Sequence, residues 1–465
     1  MKNFFEVGKK FPPEEENDRF EMYEKNRLLY ENEHDSVFWG SRTTILQGSS
    51  YQREFNLNLF KIASRVFADL LFGEEPKIKL PENHPATDFL SSFVLQTHFQ
   101  EKMYSVAIDV HRYGTGIAKV YMENGNVYVE AIPPTGWIPV FNDGRPKQVA
   151  EHILFSEVNG VLTTEEHLPG AVRVQHFSVR NGIIEELLDS EEKATGVNDF
   201  LVVDFQNSLV SDRYIGYDEY RDIETIVDGL ETRFIQRAKI LDSHSNPAMQ
   251  GPDYLIKRDP ITGKAYVDVG GGKYFPRSGD DPEVKYITWD GKLEAVQKEI
   301  DDLERMFYII SGVSPALLGI IKPGLAESGS ALKRLLIHTL AKVNSYKKIF
   351  DVKMKQVISI ASELAVANGV EGAKKIDITD VVIDWQDGIP NDYTQQVQDE
   401  SLAVSAGLTS KRSAMKRLYG LDGKALDAEE KQIHQEEQIE RIITTAEAPS
   451  LKESMGYIEK KIGNG

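Results

Sequence analysis

Glycine–lysine pairs come nearest, in residue type and spacing, to a recognisable catalytic motif, the phosphate-binding loop. Such a loop needs the pattern G-x-x-x-x-G-K-[ST], in which backbone N–H groups surround the phosphates. The triplet Gly271-Gly272-Lys273 is followed by Tyr274, and Val267 stands where the first glycine is required. The pattern therefore predicts a glycine-rich turn and no nucleotide-hydrolysing motif.

Nucleophilic and metal-dependent chemistry find little support in the sequence. The ten histidines include no H-E-x-x-H and no pair three or four residues apart, so no helical metal site is predicted. The closest approach to a G-x-S-x-G nucleophile elbow begins at Gly312, but Pro315 follows its serine. The chain has no cysteine, which excludes thiol nucleophiles and disulfides. We expect no enzyme and no cofactor, although the dispersed acids of a metal-dependent nuclease stay open.

One stretch reverses the acidic character of the chain. Residues 331–355 hold seven basic residues against one acid, Asp351. Arg334, His338 and Lys342 are spaced by four, which places them along one edge of a helix. Two interpretations stay open, namely contact with a polyanion and pairing with acidic neighbours in an oligomer. Residues 427–447, with seven acids and two bases, favour a solvated helix or a docking surface.

An apolar segment, residues 313–330, separates two predicted helices. Loops normally face water, so its large apolar side chains must pack on the core of the same subunit or on neighbouring subunits. Pro315 and Pro323 interrupt a continuous helix, while Gly319, Gly324 and Gly329 allow pivoting. We expect this segment to be mobile in function.

Amphipathic helices must position these segments. Apolar residues recur every three or four positions, which predicts helices. The predicted helical stretches are 14–24 (solvated), 51–72, 85–113, 218–241, 293–310 and a long helix over about 331–367, followed by a polar helical C-terminal third.

Short alternating apolar runs between 116 and 206 predict a β-meander. Asn-Gly pairs at 124–125, 159–160 and 181–182 favour tight hairpin turns, because both residue types accept a positive φ. The segment IPPTGWIPV, residues 132–140, cannot be a central strand, since proline donates no ladder hydrogen bond. A strand pair is predicted over 375–390, and a turn-rich insert with short strands over 251–290.

Composition narrows the class of protein. The 465 residues allow about three domains, and the apolar and charged fractions are those of a globular chain. A formal net charge of −19 argues against a protein that coats DNA electrostatically. The N-terminus lacks the apolar core of a signal peptide, and no apolar run approaches the length of a membrane helix. We expect a soluble intracellular protein without membrane contact.

The stretch ISGVSPALLGIIKPGLAESGSALKRLL, residues 310–336, resembles the junction of helix, tunnel loop and long kinked helix in portal proteins of long-tailed double-stranded-DNA bacteriophages. The order of the predicted elements is similar to that family over nearly the whole chain. The resemblance implies a mainly helical α+β portal fold with a β-meander wing, a helical-hairpin stem, a small clip insert and a helical crown, assembled as a ring.

The resemblance also implies the domain boundaries. They are a wing over 1–216, stem helices over 217–246 and 291–312, a clip over 247–290, a tunnel loop over 313–330, a long helix and wing strand over 331–390, and a crown over 391–465.

The function that the resemblance implies is structural. Portal proteins form dodecameric rings at one capsid vertex and conduct double-stranded DNA, without sequence preference, during packaging and ejection. The implied partners are eleven further copies, the large terminase subunit, a head–tail adaptor, the scaffold protein and the major capsid protein. The implied location is the portal vertex of the virion, reached through a procapsid in the host cytoplasm.

Site residues follow from the same comparison of segments. The tunnel-loop candidates are Leu317, Leu318, Ile320, Ile321 and Lys322. The candidates for facing DNA are Lys333, Arg334, His338 and Lys342. The docking candidates in the clip are the aromatic residues Tyr254, Tyr266, Tyr274, Phe275 and Trp289, which are of the types enriched at interfaces. An intracellular scaffold and a metal-dependent nuclease are the alternative functions.

Overall fold

The computed structural model describes residues 4–38, 55–207, 210–245, 248–266, 274–278, 284–287, 293–321, 329–386, 393–421 and 423–447. The chain divides into two compact units. One comprises Met1–Leu325 and Leu332–Gly388, and the other comprises Ala326–Ala331 and Ile389–Gly465.

Helices and strands are both extensive, which confirms the α+β class. The α-helices are α1 (Asn17–Tyr30), α2 (Leu59–Phe72), α3 (Thr87–Gln96), α4 (Phe99–Tyr113), α5 (Tyr220–Ser245), α6 (Leu293–Ser311), α7 (Gly329–Leu335), α8 (Ile337–Ala367), α9 (Tyr393–Ser405), α10 (Lys411–Tyr419) and α11 (Gly423–Glu447). The strands of the first half are β1 (Lys77–Lys79), β2 (Thr115–Glu123), β3 (Asn126–Ile132), β4 (Trp137–Asn142), β5 (Arg145–Val158), β6 (Val161–Leu168), β7 (Ala171–Arg180), β8 (Ile183–Ala194) and β9 (Val202–Gln206). The later strands are β10 (Met249–Pro252), β11 (Lys257–Arg258), β12 (Ala265–Tyr266), β13 (Tyr274–Arg277), β14 (Lys285–Tyr286) and β15 (Val382–Asp384).

The β-meander is confirmed and forms two antiparallel sheets, with strand orders β3-β2-β9 and β4-β5-β6-β7-β8. Asn124-Gly125, Asn159-Gly160 and Asn181-Gly182 all have positive φ, as the hairpin turns require. Pro139 lies in β4, which is an edge strand, so its missing N–H leaves no central ladder unpaired.

Helices α2, α4 and α8 pack with the β3-β2-β9 sheet to form the main hydrophobic core. Fully buried aromatic side chains at Phe60, Phe67, Phe99, Phe205 and Phe350 occupy it. A smaller core covers one face of the five-stranded sheet with residues from the N-terminus. The long helix α8 therefore packs against this sheet, with Phe350 of the helix in contact with Phe205 of β9.

Three helical predictions need correction. The helix predicted over 85–113 is two helices, because His98 adopts a left-handed conformation with φ of 50°. The predicted long helix is interrupted at Leu336, between α7 and α8. The N-terminal helix α1 is not wholly solvated, since Tyr23 and Leu29 on one of its faces are fully buried.

Helices α5 and α6 pack against each other. Arg233 on α5 forms a salt bridge of 2.7 Å with Glu299 on α6, and Gly229 on α5 leaves room for Leu303. The insert between these helices contains a mixed sheet in which β10 pairs with β13 in parallel and with β14 antiparallel. Strands β11 and β12 form a separate hairpin.

The strand pair predicted over 375–390 is wrong within the described part of that segment. A single strand, β15, pairs with the distant β1, joining residues about 300 positions apart. Tertiary pairing of this kind leaves no local signal, because each strand is three residues long.

The C-terminal unit consists, in its described residues, mainly of α9, α10 and α11. Arg417 on α10 binds both carboxylate oxygens of Glu400 on α9, and Arg412 binds Asp427 and Glu430 on α11. In the part of the chain that the structure describes, no helix is long and apolar enough to cross a membrane.

Three backbone segments converge at Gly216 in front of α5. A Cβ atom at this position would lie 1.9 Å from the Gly114 carbonyl oxygen and 2.6 Å from the Asn207 nitrogen. Because both neighbours are backbone atoms, no side-chain movement can relieve the contact. Only glycine fits here, and the approach sets the entry of the chain into α5.

We therefore expect Gly216→Ala to lower the thermal stability of the protein markedly, by about 2 kcal/mol or more. Gly229→Ala is the matched control, since its Cβ would meet Leu303 at an ordinary 3.6 Å and alanine favours a helix interior by roughly 0.5–1 kcal/mol. Differential scanning calorimetry of both variants measures the difference. Equal melting temperatures for the two would contradict the close approach.

Candidate functional site

The segment that follows α6 changes direction twice within a few residues. Gly312 has φ of 76° and ends α6, and Gly319 has φ of 75°. Between them, Pro315–Leu318 form one short 3₁₀ turn, and the Ser314 side chain accepts a hydrogen bond from the Ala316 N–H. We call residues 312–321 the apolar loop.

The base of the apolar loop is tied to the break between α7 and α8. Thr339 donates its hydroxyl proton to the Gly312 carbonyl at 2.7 Å and accepts a hydrogen bond from the Ser314 N–H at 3.0 Å. Ser314 in turn donates to the Leu335 carbonyl at 3.0 Å, at the end of α7. The interruption at Leu336 thus supplies a carbonyl that holds the loop.

A partly buried ion pair joins the same region to the rest of the subunit. Glu219, immediately before α5, binds Lys342 of α8 at 2.7 Å. Lys342 also donates to the Ser311 carbonyl at the end of α6, at 2.8 Å. The other oxygen of Glu219 accepts from Tyr346 at 2.9 Å and from Asn207 at 3.0 Å. These five residues form what we call the junction.

The electrostatics of the junction favour the charged pair. Burial acts to raise the pKa of the Glu219 carboxyl, but the charge of Lys342 and the hydrogen bonds from Lys342 and Asn207 are among the causes that together lower the pKa to about 2. Burial lowers the pKa of the neighbouring His111 to about 3, so this imidazole is neutral at pH 7. Glu219 and Lys342 therefore neutralise each other where α5, α6 and α8 meet.

A groove of about 880 Å³ lies beside the apolar loop. Its apolar lining comes from the loop, from α6 and from the α7–α8 break, with Ile309, Ile320 and Leu335 all exposed. Asp301, Glu304, Arg305 and His338 place charged or titratable groups around it. The groove has the composition of a protein-binding surface more than that of a catalytic pocket.

The nearest arrangement to a catalytic one is buried in the core. The Ser64 hydroxyl lies 3.1 Å from His111 Nδ1 and 2.8 Å from the Tyr220 hydroxyl. All three side chains are inaccessible, and the His111 ring stacks on Phe67 at 5.1 Å. Their position indicates core hydrogen bonding. Among the described residues, no group of three or more His, Asp or Glu could hold a metal ion.

Comparison with known families decides the class of this chain. Residues 10–443 match the model of the family described as phage portal protein, SPP1 Gp6-like. The chain belongs to this portal protein family. No curated protein matches it in sequence.

Three solved structures are similar to this portal protein. The neck of an empty gene transfer agent particle, computed with C6 symmetry, has a TM-score of 0.47 at 13% identity and covers 83% of this chain and 95% of that one. The neck of a native particle, computed with C12 symmetry, has a TM-score of 0.42 at 12% identity, and a native virion has 0.40 at 11%. Each of the latter two covers 79% of this chain and 90% of the other. The family assignment rests on the sequence match.

The predicted tunnel-loop residues take different positions in the portal subunit. Leu317 packs against the main core, whereas Leu318, Ile320 and Ile321 are exposed. Lys322 lies outside the described residues. The subunit core therefore covers Leu317 but leaves the other three described side chains exposed.

The predicted DNA-facing residues divide in the same way. Lys333, Arg334 and His338 are exposed around the α7–α8 break. Lys342 belongs to the junction and has its partner inside the subunit, a structural role that the sequence prediction did not include. Lys353 and Lys355 also pair with acids of the same chain, Asp204 and Asp351. The basic residues of 331–355 therefore do not form one continuous patch.

The insert exposes most of its predicted aromatic residues. Tyr254 is 71% exposed, and Tyr266 and Phe275 are about half exposed. Tyr274 instead donates its hydroxyl to the Pro252 carbonyl at 2.9 Å and stabilises the small sheet. Trp289 lies outside the described residues. Sequence reasoning missed Tyr286 and Ile261, whose exposure depends on the turns of the insert.

Glu219 is the charged residue of the junction that sequence reasoning missed. It lies one position before α5 with no motif around it, and its partner is 123 residues away. The available signal was Lys342 itself, because a lysine that is buried on folding needs an acidic partner.

Removing either charge of the junction should destabilise the fold. We expect Lys342→Met and Glu219→Gln each to cost on the order of 2–3 kcal/mol at pH 7, because a partly buried charge or its hydrogen-bonding partners lose their counterpart. Lys374→Met, at an exposed lysine, is the control and should change stability by less than about 0.5 kcal/mol. Denaturant unfolding gives the free energies.

The pH dependence of folding stability in the Glu219→Gln variant tests whether the Glu219 carboxylate is the group that contributes. The folded-state pKa of Glu219 lies below its usual 4.5. The contribution of its carboxylate to folding stability is therefore present above pH 4.5 and is lost as the pH falls towards 2. The stability difference between the native chain and Glu219→Gln should narrow over this window. A difference independent of pH between 5 and 2 would contradict the assignment.

Proposed function

We propose that this portal protein assembles as a ring of twelve subunits at one vertex of a phage capsid and conducts double-stranded DNA through its centre. The observation that supports the proposal most directly is the apolar loop. Its base is held by Thr339, Leu335 and the junction, yet Leu318, Ile320 and Ile321 remain exposed in the single subunit. A cyclic assembly brings such loops together around one axis, where they cover each other.

The chemistry of the loop suits a conduit for DNA. Apolar side chains form no hydrogen bonds with phosphate oxygens, so a duplex can slide past them. The subunit charge of −19 gives a ring of twelve a formal charge of −228, which repels a polyanion over most of the surface. Lys333, Arg334, His338 and Lys322 are our candidates for brief contacts with the DNA backbone. Lys342 also remains one, in addition to its role in the junction.

The remaining segments take their proposed roles from the family. Helices α5 and α6 are the stem, the insert between them is the clip, and α9–α11 belong to the crown. The clip binds the terminase motor and later the head–tail adaptor, while the scaffold and major capsid proteins contact the assembled ring. In this proposal the portal protein is part of the virion, enters a procapsid in the host cytoplasm, and has no catalytic activity of its own.

The mass of the purified protein tests the ring. Twelve subunits of 52.5 kDa give about 630 kDa. Sedimentation equilibrium at micromolar concentration in moderate salt should give that value or a neighbouring ring number. A monomer under these conditions would overturn the proposal and favour the intracellular scaffold. Nuclease activity on duplex DNA with added Mg²⁺ would favour the enzyme.

A charge placed on the apolar loop tests the conduit. Ile320→Asp should allow rings to form but should reduce packaging at least tenfold, because twelve carboxylates repel one another and the DNA. Ile378→Asp, at an isoleucine exposed to a similar degree elsewhere, should package normally. DNase protection of packaged genomes measures both. Normal packaging by Ile320→Asp would contradict the proposed position of the loop.

Loss of exposed aromatic side chains tests the clip. Tyr254→Ser combined with Phe275→Ser should leave the ring mass unchanged but weaken binding of the terminase large subunit tenfold or more, since aromatic residues dominate interface energies. Tyr419→Ser, an exposed tyrosine of the C-terminal unit, is the control and should bind normally. Unchanged terminase affinity in the double variant would exclude these two side chains from the docking surface.

A further inference from the structure

A second cavity, of about 360 Å³, lies between the β-sheets and α8 and is rich in basic residues. Lys147 of β5, Arg213 of the loop before α5, and Lys348 and Lys353 of α8 all line it, around the buried carboxylate of Asp204. We call these residues, with Val210 and Val352, the basic pocket.

Only some of the basic residues of the pocket form ion pairs within the subunit. Asp204 lies 3.6 Å from Lys353 and accepts a 2.6 Å hydrogen bond from Tyr214. Arg213 lies 3.5 Å from Asp212. Lys147 and Lys348 form no ion pair with any described residue. Lys147 also acts on the nearby carboxylate of Asp212, without a direct ion pair. An anionic group entering the pocket would therefore meet two ammonium groups that are in no direct ion pair with a described residue.

A cluster of exposed acidic residues lies on β8. Glu185, Glu186 and Asp189 are exposed and have no cationic partner among the residues described. Between them, Leu187 and Leu188 are 42% and 51% exposed. We call residues 185–189 the acidic edge, because β8 is the last strand of its sheet.

The acidic edge and the basic pocket lie at separate places on the subunit. Lys147, the basic residue of the pocket that belongs to the five-stranded sheet, lies three strands away from the acidic edge, which is at least roughly 14 Å at 4.8 Å per strand. The register adds to this separation, because Glu186 and Asp189 are level with Val158 and Ser156 at the other end of β5. Two complementary surfaces at separate places on one subunit are the arrangement that a head-to-tail contact between identical copies requires.

We propose that the acidic edge of one subunit docks on the basic pocket of the next copy around the ring. Glu185, Glu186 or Asp189 supplies the carboxylate that pairs with Lys147 and Lys348. Leu187 and Leu188 cover Val210 and Val352, which are 48% and 58% exposed at the pocket. The contact combines charge and apolar area, as the rim and centre of an interface do.

This inference rests on the proposed ring and adds the identity of one intersubunit contact. It also gives the acidic edge a role beyond protection of an edge strand, for which charged residues are commonly used. Protection alone requires no basic pocket elsewhere on the subunit.

Charge reversal with rescue tests the contact. We expect Lys147→Glu combined with Lys348→Glu to raise the concentration for half-assembly tenfold or more, and Glu185→Lys combined with Glu186→Lys to do the same. The chain carrying all four substitutions should recover assembly to within about threefold of the native protein. Lys374→Glu and Glu371→Lys, at exposed positions outside both surfaces, should assemble normally. Sedimentation velocity of the full-length chains across a concentration series measures each.

The outcomes separate this inference from the ring itself. A native chain that stays monomeric overturns the proposed function. Native rings that tolerate both reversals, or a fourfold variant that does not recover, overturn the contact alone. If the basic-pocket variant assembles normally but loses affinity for duplex DNA, the pocket binds phosphate and the contact is wrong.

Discussion

The ion pair between Glu219 and Lys342 is the interaction on which the organisation of the portal subunit depends. It connects the start of α5, the end of α6 and the first turns of α8. Partial burial of two charges is costly unless they also form hydrogen bonds. Here Tyr346 and Asn207 donate to Glu219, and the Ser311 carbonyl accepts from Lys342. The apolar loop begins one residue beyond Ser311. The junction therefore also positions the base of the loop.

Much of the fold could be predicted from sequence because the signals were local. The Asn-Gly hairpins, the proline-marked edge strand and the amphipathic spacing of α2, α5 and α6 all depend on residues a few positions apart. The predictions failed where tertiary contacts decide. His98 divides a helix in a left-handed conformation, Leu336 interrupts another helix, and β15 pairs with a strand far away in the chain. None of these leaves a periodic pattern.

The candidate site was predictable as a segment but not as a set of contacts. Its proline and glycine positions located the apolar loop, while the partners that hold it, Thr339 and Leu335, were visible only in three dimensions. The basic stretch shows the same limit. Spacing on a helix placed Lys342 with Arg334 and His338, yet folding pairs Lys342 with Glu219 and leaves the other two exposed. Charge counted along a sequence does not reveal which charges are neutralised by distant residues.

In the proposed ring, copies of the subunit cover the apolar and charged surfaces that a single subunit leaves exposed. Electron cryomicroscopy of the purified full-length chain, without imposed symmetry, tests it most directly. We predict closed rings with a central opening, with residues 312–321 of every subunit facing that opening. Particles without a central opening, or rings in which these residues face outward, would contradict it.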